Sequence, residues 1–263
     1  MIVDAFTFYK EFDLLDCRLK YLSPYVDYFV ICECNLSQSG LPKPYYFKEN
    51  MDRYQEYMHK IVYVPMFLDE TQQYSPWFIE MYQRNFLAAA MHRFPNDATV
   101  IITDSDEIIN PAVLPAVTEA LKHKTIVRLA FDIQYYNLAY KIPDITWWHP
   151  GAGKARDIFR YFPSAFRTFL SDIMPNDREW IFSAGWHLSY FLDADQIVNK
   201  LKNFAHREFD GMERSIILDK IDQKVTLNSE FSAENLALQH LSPEYYPPDF
   251  LAAFGQYYPK INS

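Results

Sequence analysis

The chain has 263 residues, 49% of them hydrophobic and 17% aromatic, and a formal charge of −9. That apolar content is enough for one large folded core and excludes an intrinsically disordered chain. The acidic balance excludes a general nucleic-acid or anionic-membrane surface, and six glycines are too few for a glycine-rich phosphate cradle.

Residues 2–8 read as a strand. No basic stretch followed by an apolar one opens the chain, and acids stand at Asp4, Glu11 and Asp13. No run approaches the roughly 20 apolar residues of a membrane span, so a soluble, cytoplasmic chain without a transmembrane segment is expected. Asp13 can cap a helix on which Leu14, Leu15, Leu19 and Leu22 share a face. Residues 26–32 form a continuous apolar run, as buried parallel strands do. Cys17, Cys32 and Cys34 suit neither a disulfide framework nor a four-thiolate zinc site, and read as small buried hydrophobes. Asn35-Leu36-Ser37 is a glycosylation sequon with meaning only in a secreted chain.

A polar helical stretch is expected at 49–59, a strand at 60–66, and a helix from Pro76 to about residue 93. The apolar strand at 98–103 stops abruptly at Asp104-Ser105-Asp106-Glu107. A helix at 112–123 and a strand at 125–131 complete an alternation that predicts a doubly wound parallel sheet. Beyond Asp132 the pattern predicts short Tyr- and Trp-rich strands, a loop at 149–154 and a helix at 194–203. Residues 241–263, with four prolines and four tyrosines, read as an extended tail. The expected organisation is one domain over 1–263. Its α/β half spans 1–131, a mixed α+β half spans 132–240, and the tail follows.

The strongest chemical signal is the acidic turn. A buried strand delivers Asp104 and Asp106 to the carboxyl end of a sheet, where open α/β folds bind ligands. D-x-D spacing lets both acids approach one hard cation such as Mn2+ or Mg2+. The plain alternative is a solvated turn capping the next helix. The second signal joins Gly185-Trp186-His187 with Phe204-Ala205-His206-Arg207-Glu208. An imidazole there can complete a metal shell, and Glu208 can act as a general base. Each histidine can equally be a core residue bonded to backbone. The third is Glu80 with Arg84, either a surface i,i+4 ion pair or an arginine aimed at a diphosphate or nucleobase. Gly151-Ala152-Gly153-Lys154 fails as a P-loop, because Trp148 and Ala155 stand where glycine and Ser/Thr are required.

In order along the chain, FTFYKEFDLLDCRLKYLSPYVDYFVICE, GLPKPYYF, KIVYV, WFIEMYQRN, VIITDSDEI, GWHLSYF and KLKNFAHREF resemble glycosyltransferase family 17. The resemblance implies a GT-A-like α/β fold, with a mostly parallel nucleotide-binding sheet flanked by helices and a mixed acceptor-side half. It implies inverting, metal-dependent transfer of a sugar, N-acetylglucosamine, from a UDP-sugar donor to a glycan or other hydroxyl acceptor. Asp104 and Asp106 match the metal motif, and His206 sits where such enzymes supply a late histidine ligand to Mn2+ or Mg2+. The resemblance also places Arg84 and the segment around Glu33 on the nucleotide side; Trp186 is expected to form part of the wall against which the sugar packs, as an apolar face that excludes water. Glu208 and His187 are the candidates for the base that removes the acceptor proton. Two alternatives use the same features: a nucleotidyltransferase with the same carboxylate–metal site, or an inactive sugar-binding module.

Overall fold

The computed structural model describes residues 1–168, 170–203, 211–227 and 235–259. Its first half runs β1 (Ile2–Thr7), α1 (Phe12–Leu22), β2 (Tyr28–Cys34), the short α2 (Tyr46–Glu49), β3 (Ile61–Met66), α3 (Pro76–Phe86) and β4 (Thr99–Asp104). The four strands pair in parallel in the order β3-β2-β1-β4. The chain therefore winds outward from β1 on one side and then the other. That arrangement opens a crevice at the carboxyl ends of β1 and β4.

Strand alternation sets the two faces of this sheet. Asp4 and Phe6 of β1, with Phe29 and Ile31 of β2, face α1. Val3, Ala5, Val30 and Cys32 face the other way, toward Ile79 of α3 and the 3-10 segment Leu87–Arg93. The helix expected at 49–59 shrinks to α2 and a 3-10 turn at Met51–Tyr54. The Ser75 hydroxyl caps α3 by accepting from the Phe78 amide, and Pro76 fits its first turn. All three cysteines are free and buried, as expected. Asn35 is buried too; its amide donates to the Leu68 carbonyl at 3.0 Å and its oxygen accepts from the Leu68 amide at 2.8 Å. The sequon is a structural crosslink, with no access for a glycan.

The second half adds β5 (Glu107–Ile109), α4 (Leu114–Ala120), β6 (Ile126–Tyr135), β7 (Tyr140–Trp147), β8 (Gly151–Lys154), α5 (Ala155–Tyr161), α6 (Pro163–Arg167) and α7 (Leu170–Ile173). β9 (Arg178–Ser189), α8 (Ala194–Asn203), α9 (Arg214–Gln223), β10 (Gln239–His240) and α10 (Pro248–Phe254) complete it. β8 lies antiparallel between β4 and β6, and β9 runs parallel to β6 while pairing antiparallel with β5. The expected α/β architecture is present: a parallel first half joined to a mixed second half.

Two expectations change. The predicted loop at 149–154 contains strand β8, because its glycines permit close packing. A Cβ on Gly153 would lie 2.3 Å from the Phe166 ring. The predicted extended tail instead contains α10. Tyr246, Phe250 and Phe254, four residues apart, stack with centroids 5.3 and 4.5 Å apart and bury Phe250 and Phe254 in the core. Among the described residues no helix is long and apolar enough to cross a membrane.

Candidate active site

The acidic turn is held from beneath. Arg18 occupies a core-facing position of α1 and is fully buried. Its Nε and Nη2 donate to the two Asp4 carboxylate oxygens at 2.8 and 2.6 Å. Nη1 donates to the carbonyls of Asp104 at 2.8 Å and Glu107 at 3.0 Å. Glu107 also turns inward: Oε2 accepts from the Asp104 amide at 2.7 Å, Arg167 forks its carboxylate, and Trp147 Nε1 donates to Oε1. The third acid of the sequence motif thus braces the turn rather than facing ligand.

Asp104 and Asp106 remain on the wall of a cleft of about 540 Å3 at the carboxyl ends of β1 and β4. Asp104 accepts from Arg84 Nη2 at 3.1 Å and from Arg167 Nη2 at 2.8 Å. Burial opposes its ionisation, but Arg167 and then Arg84 outweigh that and hold its pKa below the usual carboxylate range. Asp106 accepts from Lys200 Nζ at 2.9 Å through Oδ2. Its Oδ1 lies 3.8 Å from His187 Nε2. Burial again opposes ionisation, and Lys200 followed by His187 lowers the Asp106 pKa. Lys200 is correspondingly raised; burial pulls it down, and Asp106 and then Glu11 more than compensate.

β9 supplies His187 because Gly185, two residues earlier, permits a close crossing. A Cβ there would meet the Ile108 carbonyl at 2.2 Å. His187 pairs with Glu107 across the β5–β9 ladder, and its ring lies 4.4 Å from Trp147. Its Nδ1 is buried without a hydrogen-bond partner among the described residues.

A family model for glycosyltransferase family 17 matches residues 1–244. The chain belongs to that family. Beta-1,4-mannosyl-glycoprotein 4-beta-N-acetylglucosaminyltransferases of rat and human are 34% identical over 116 residues, 41% of this chain and 21% of theirs. The match thus spans about a fifth of the length of these relatives. Among solved structures, residues 1–349 of S. aureus TarS align with a TM-score of 0.43 at 12% identity, over 84% of this chain and 70% of that one.

The fold brings together four of the residues singled out in this family member's sequence. Asp104, Asp106, Arg84 and His187 all line the cleft. Arg84 makes the i,i+4 pair with Glu80 at 3.0 Å, buried in the cleft wall rather than on the surface, and also pairs with Asp104 at 3.1 Å. Glu33 lies behind the wall, fully buried, accepting from the Phe47 amide and Tyr63 hydroxyl and paired at 3.4 Å with the cleft residue Lys43. Trp186 is not a sugar wall. It points away from His187 into the core, 4.2 Å from the Phe250 ring, because neighbours on a strand face opposite sides. His206 and Glu208 lie outside the described residues.

Sequence reasoning did not single out Arg18, Arg167 or Lys200. Arg18 had a legible signal, since it interrupts the apolar stripe of α1 at a core position. Arg167, between Phe166 and Thr168 in an aromatic run, carried a weaker one. Lys200 sits on an ordinary amphipathic helix and carried none.

The donors present fit a hard divalent ion, though sparsely. At 3.8 Å, Asp106 Oδ1 and His187 Nε2 are too far apart for a hydrogen bond. They are close enough for both to reach one ion at about 2.1 Å each. Among the described residues no third His, Cys, Asp or Glu converges with them, so water and phosphate oxygens would complete the shell.

Proposed function

We propose that this chain transfers N-acetylglucosamine from UDP to a hydroxyl of a mannose-containing glycan, with inversion at the anomeric carbon. The carrying observation is the Asp106–His187 pair, set beside three cationic side chains in a cleft of a family 17 chain. The sugar and acceptor follow the names of the relatives.

Breaking the bond from anomeric carbon to β-phosphate oxygen puts negative charge on the departing diphosphate. Arg84, Arg167 and Lys200 line the cleft where that charge would develop, already oriented by Asp104 and Asp106. Asp106 and His187 would hold Mn2+ or Mg2+, which when bound supplies Lewis-acid stabilisation of the leaving group. Glu80 and Arg84 line the same cleft, and Glu80 Oε2 and Arg84 Nε are buried without partners among the described residues. The acceptor oxygen attacks the anomeric carbon as the phosphate leaves, and its proton must pass to a base. With His187 facing Asp106, Glu208 is the other of the two bases that the sequence offered, and it lies outside the described residues. The cleft-lining residues Lys200 and Asn203 close α8 just before it in sequence.

The test is donor-dependent stabilisation followed by product analysis. UDP with Mn2+ should raise the melting temperature more than ADP, CDP or GDP does, since only ligands of the folded state stabilise it. UDP-N-acetylglucosamine should yield UDP. A larger shift with GDP or CDP overturns the donor, release of pyrophosphate overturns glycosyl transfer, and full turnover in EDTA overturns the metal role.

A further inference from the structure

A second cavity, of about 610 Å3, shares the side chain of Glu11 with the transfer cleft. Its walls come from the start of α1, the β6–β7 turn, the β9–α8 connection and the segment after α10. Tyr257 supplies an aromatic surface and packs 5.4 Å from the Phe191 ring. Around it stand the amides of Asn137, Gln196 and Gln256 and the carboxylate of Asp193.

Two features fix this lining. Asp193 Oδ1 accepts from the Gln196 amide at 2.8 Å, and Gln196 Oε1 accepts from the Asp193 amide at 2.9 Å. This reciprocal cap at the start of α8 sets both side chains in place. On the opposite side, Tyr136 takes a left-handed backbone conformation, φ 66°, and its hydroxyl donates to the Val225 carbonyl at 2.9 Å. A bulky residue in that region is uncommon, and such strain gathers at binding sites.

The chemistry selects the ligand. Of the two cations in the lining, Arg53 is paired with Asp13, itself in the lining, and with Asp16, and Lys10 lies over the Tyr46 ring at 4.7 Å. The lining acids Glu11, Asp13 and Asp193 outnumber the lining cations Lys10 and Arg53, a balance that disfavours phosphate. Amides and carboxylates beside an aromatic face instead match a neutral polyhydroxyl compound, whose hydroxyls both donate and accept and whose C–H faces pack on a ring.

We propose that this cavity binds the neutral saccharide of the acceptor, so that the glycan lies across Glu11 with its reacting hydroxyl in the first cleft. The proposal rests on the glycosyl-transfer reading for its purpose, but the binding it predicts is independent of the donor. Mannotriose and chitotriose, with inorganic phosphate as the anionic control, would be titrated against the intact chain by saturation-transfer NMR. Gln256 is exposed, so Gln256→Trp can fill the cavity at the expense of its side-chain hydrogen bond to Cys17 Sγ at 3.4 Å, and a melting curve on the variant checks that the fold survives.

At least one oligosaccharide should bind, and Gln256→Trp should weaken it by about tenfold or more and raise the acceptor KM to match. The affinity for UDP with Mn2+ should stay within about twofold. Absence of oligosaccharide binding, binding that survives Gln256→Trp, or displacement by phosphate overturns the proposal. Saccharide binding lost in Gln256→Trp, with no UDP affinity in either protein, supports this cavity while removing the donor assignment.

Discussion

Arg18 and Asp4 form a fully buried fork, and the third guanidinium nitrogen holds the carbonyls of the acidic turn. One ion pair therefore couples the centre of the sheet to the position of Asp104 and Asp106. Arg18→Met alone should destabilise the fold by about 3–5 kcal/mol, because Asp4 is left charged and unpaired in the core. The double variant Arg18→Met/Asp4→Leu should recover most of that stability while transfer stays down about a hundredfold, since the turn is no longer clamped. Denaturant titration and initial rates on the same preparations separate the two effects. A double variant with wild-type rates would show that Arg18 only stabilises the fold.

Asp106→Asn should reduce transfer on the order of a thousandfold, given that charge stabilisation worth several kcal/mol is removed. The fold should survive with a loss of about 1–3 kcal/mol, because Lys200 loses its carboxylate. Turnover assays across a Mn2+ titration, with a melting curve, check both halves. Unimpaired transfer would remove Asp106 from the reaction.

Trp186 and His187 are sequence neighbours with opposite fates. Trp186→Ala should cost about 3–5 kcal/mol of stability through the cavity it leaves beside Phe250, with little change in UDP affinity. His187→Ala should do the reverse, sparing stability and weakening Mn2+-dependent UDP binding. Calorimetry with each variant decides the matter; a donor defect confined to Trp186→Ala would contradict this placement.

Burial raises the Glu33 pKa above 4.5, and Lys43, the Phe47 amide and the Tyr63 hydroxyl only partly oppose it. The folded state therefore holds this proton more tightly than the unfolded one. Its stability contribution is present below pH 4.5 and is lost as pH rises through the folded pKa. Unfolding free energy measured between pH 4 and 8 should decline less steeply in Glu33→Gln than in the wild type. Identical slopes would mean that Glu33 does not titrate differently on folding.

Burial pushes the Cys17 thiol up to about 12 and Cys32 well above the ordinary thiol range. A thiol reagent should find no fast-reacting cysteine in the native protein and three in denaturant. A native cysteine reacting at the denatured rate would show that the first-half sheet opens readily.

Much of the first half was legible because its signals are local. Apolar runs of strand length alternating with amphipathic helices marked β1 to β4, although the cap expected at Asp13 is not made: α1 starts at Phe12 with no side-chain cap, whereas Ser75 does cap α3. The sudden change from Ile102-Thr103 to Asp104-Ser105-Asp106 marked the end of a buried strand. Helix α8, at residues 194–203, was likewise written in its own periodicity. The short motif at Gly151–Lys154 and the Pro/Tyr-rich end misled, because β8 and α10 take their form from what they pack against.

The sequence by itself determined the α/β class, the family and the delivery of two aspartates to a strand end, since each depends on residue order over short spans. Only the tertiary structure decided what those aspartates meet. Arg167 reaches Asp104 across 63 residues and Lys200 reaches Asp106 across 94. Strand alternation required Trp186 and His187 to face apart, but it did not say which faced the cleft. The pairing of β9 with β5 and β6 fixed that choice, because a shift of one residue in register would exchange the two side chains.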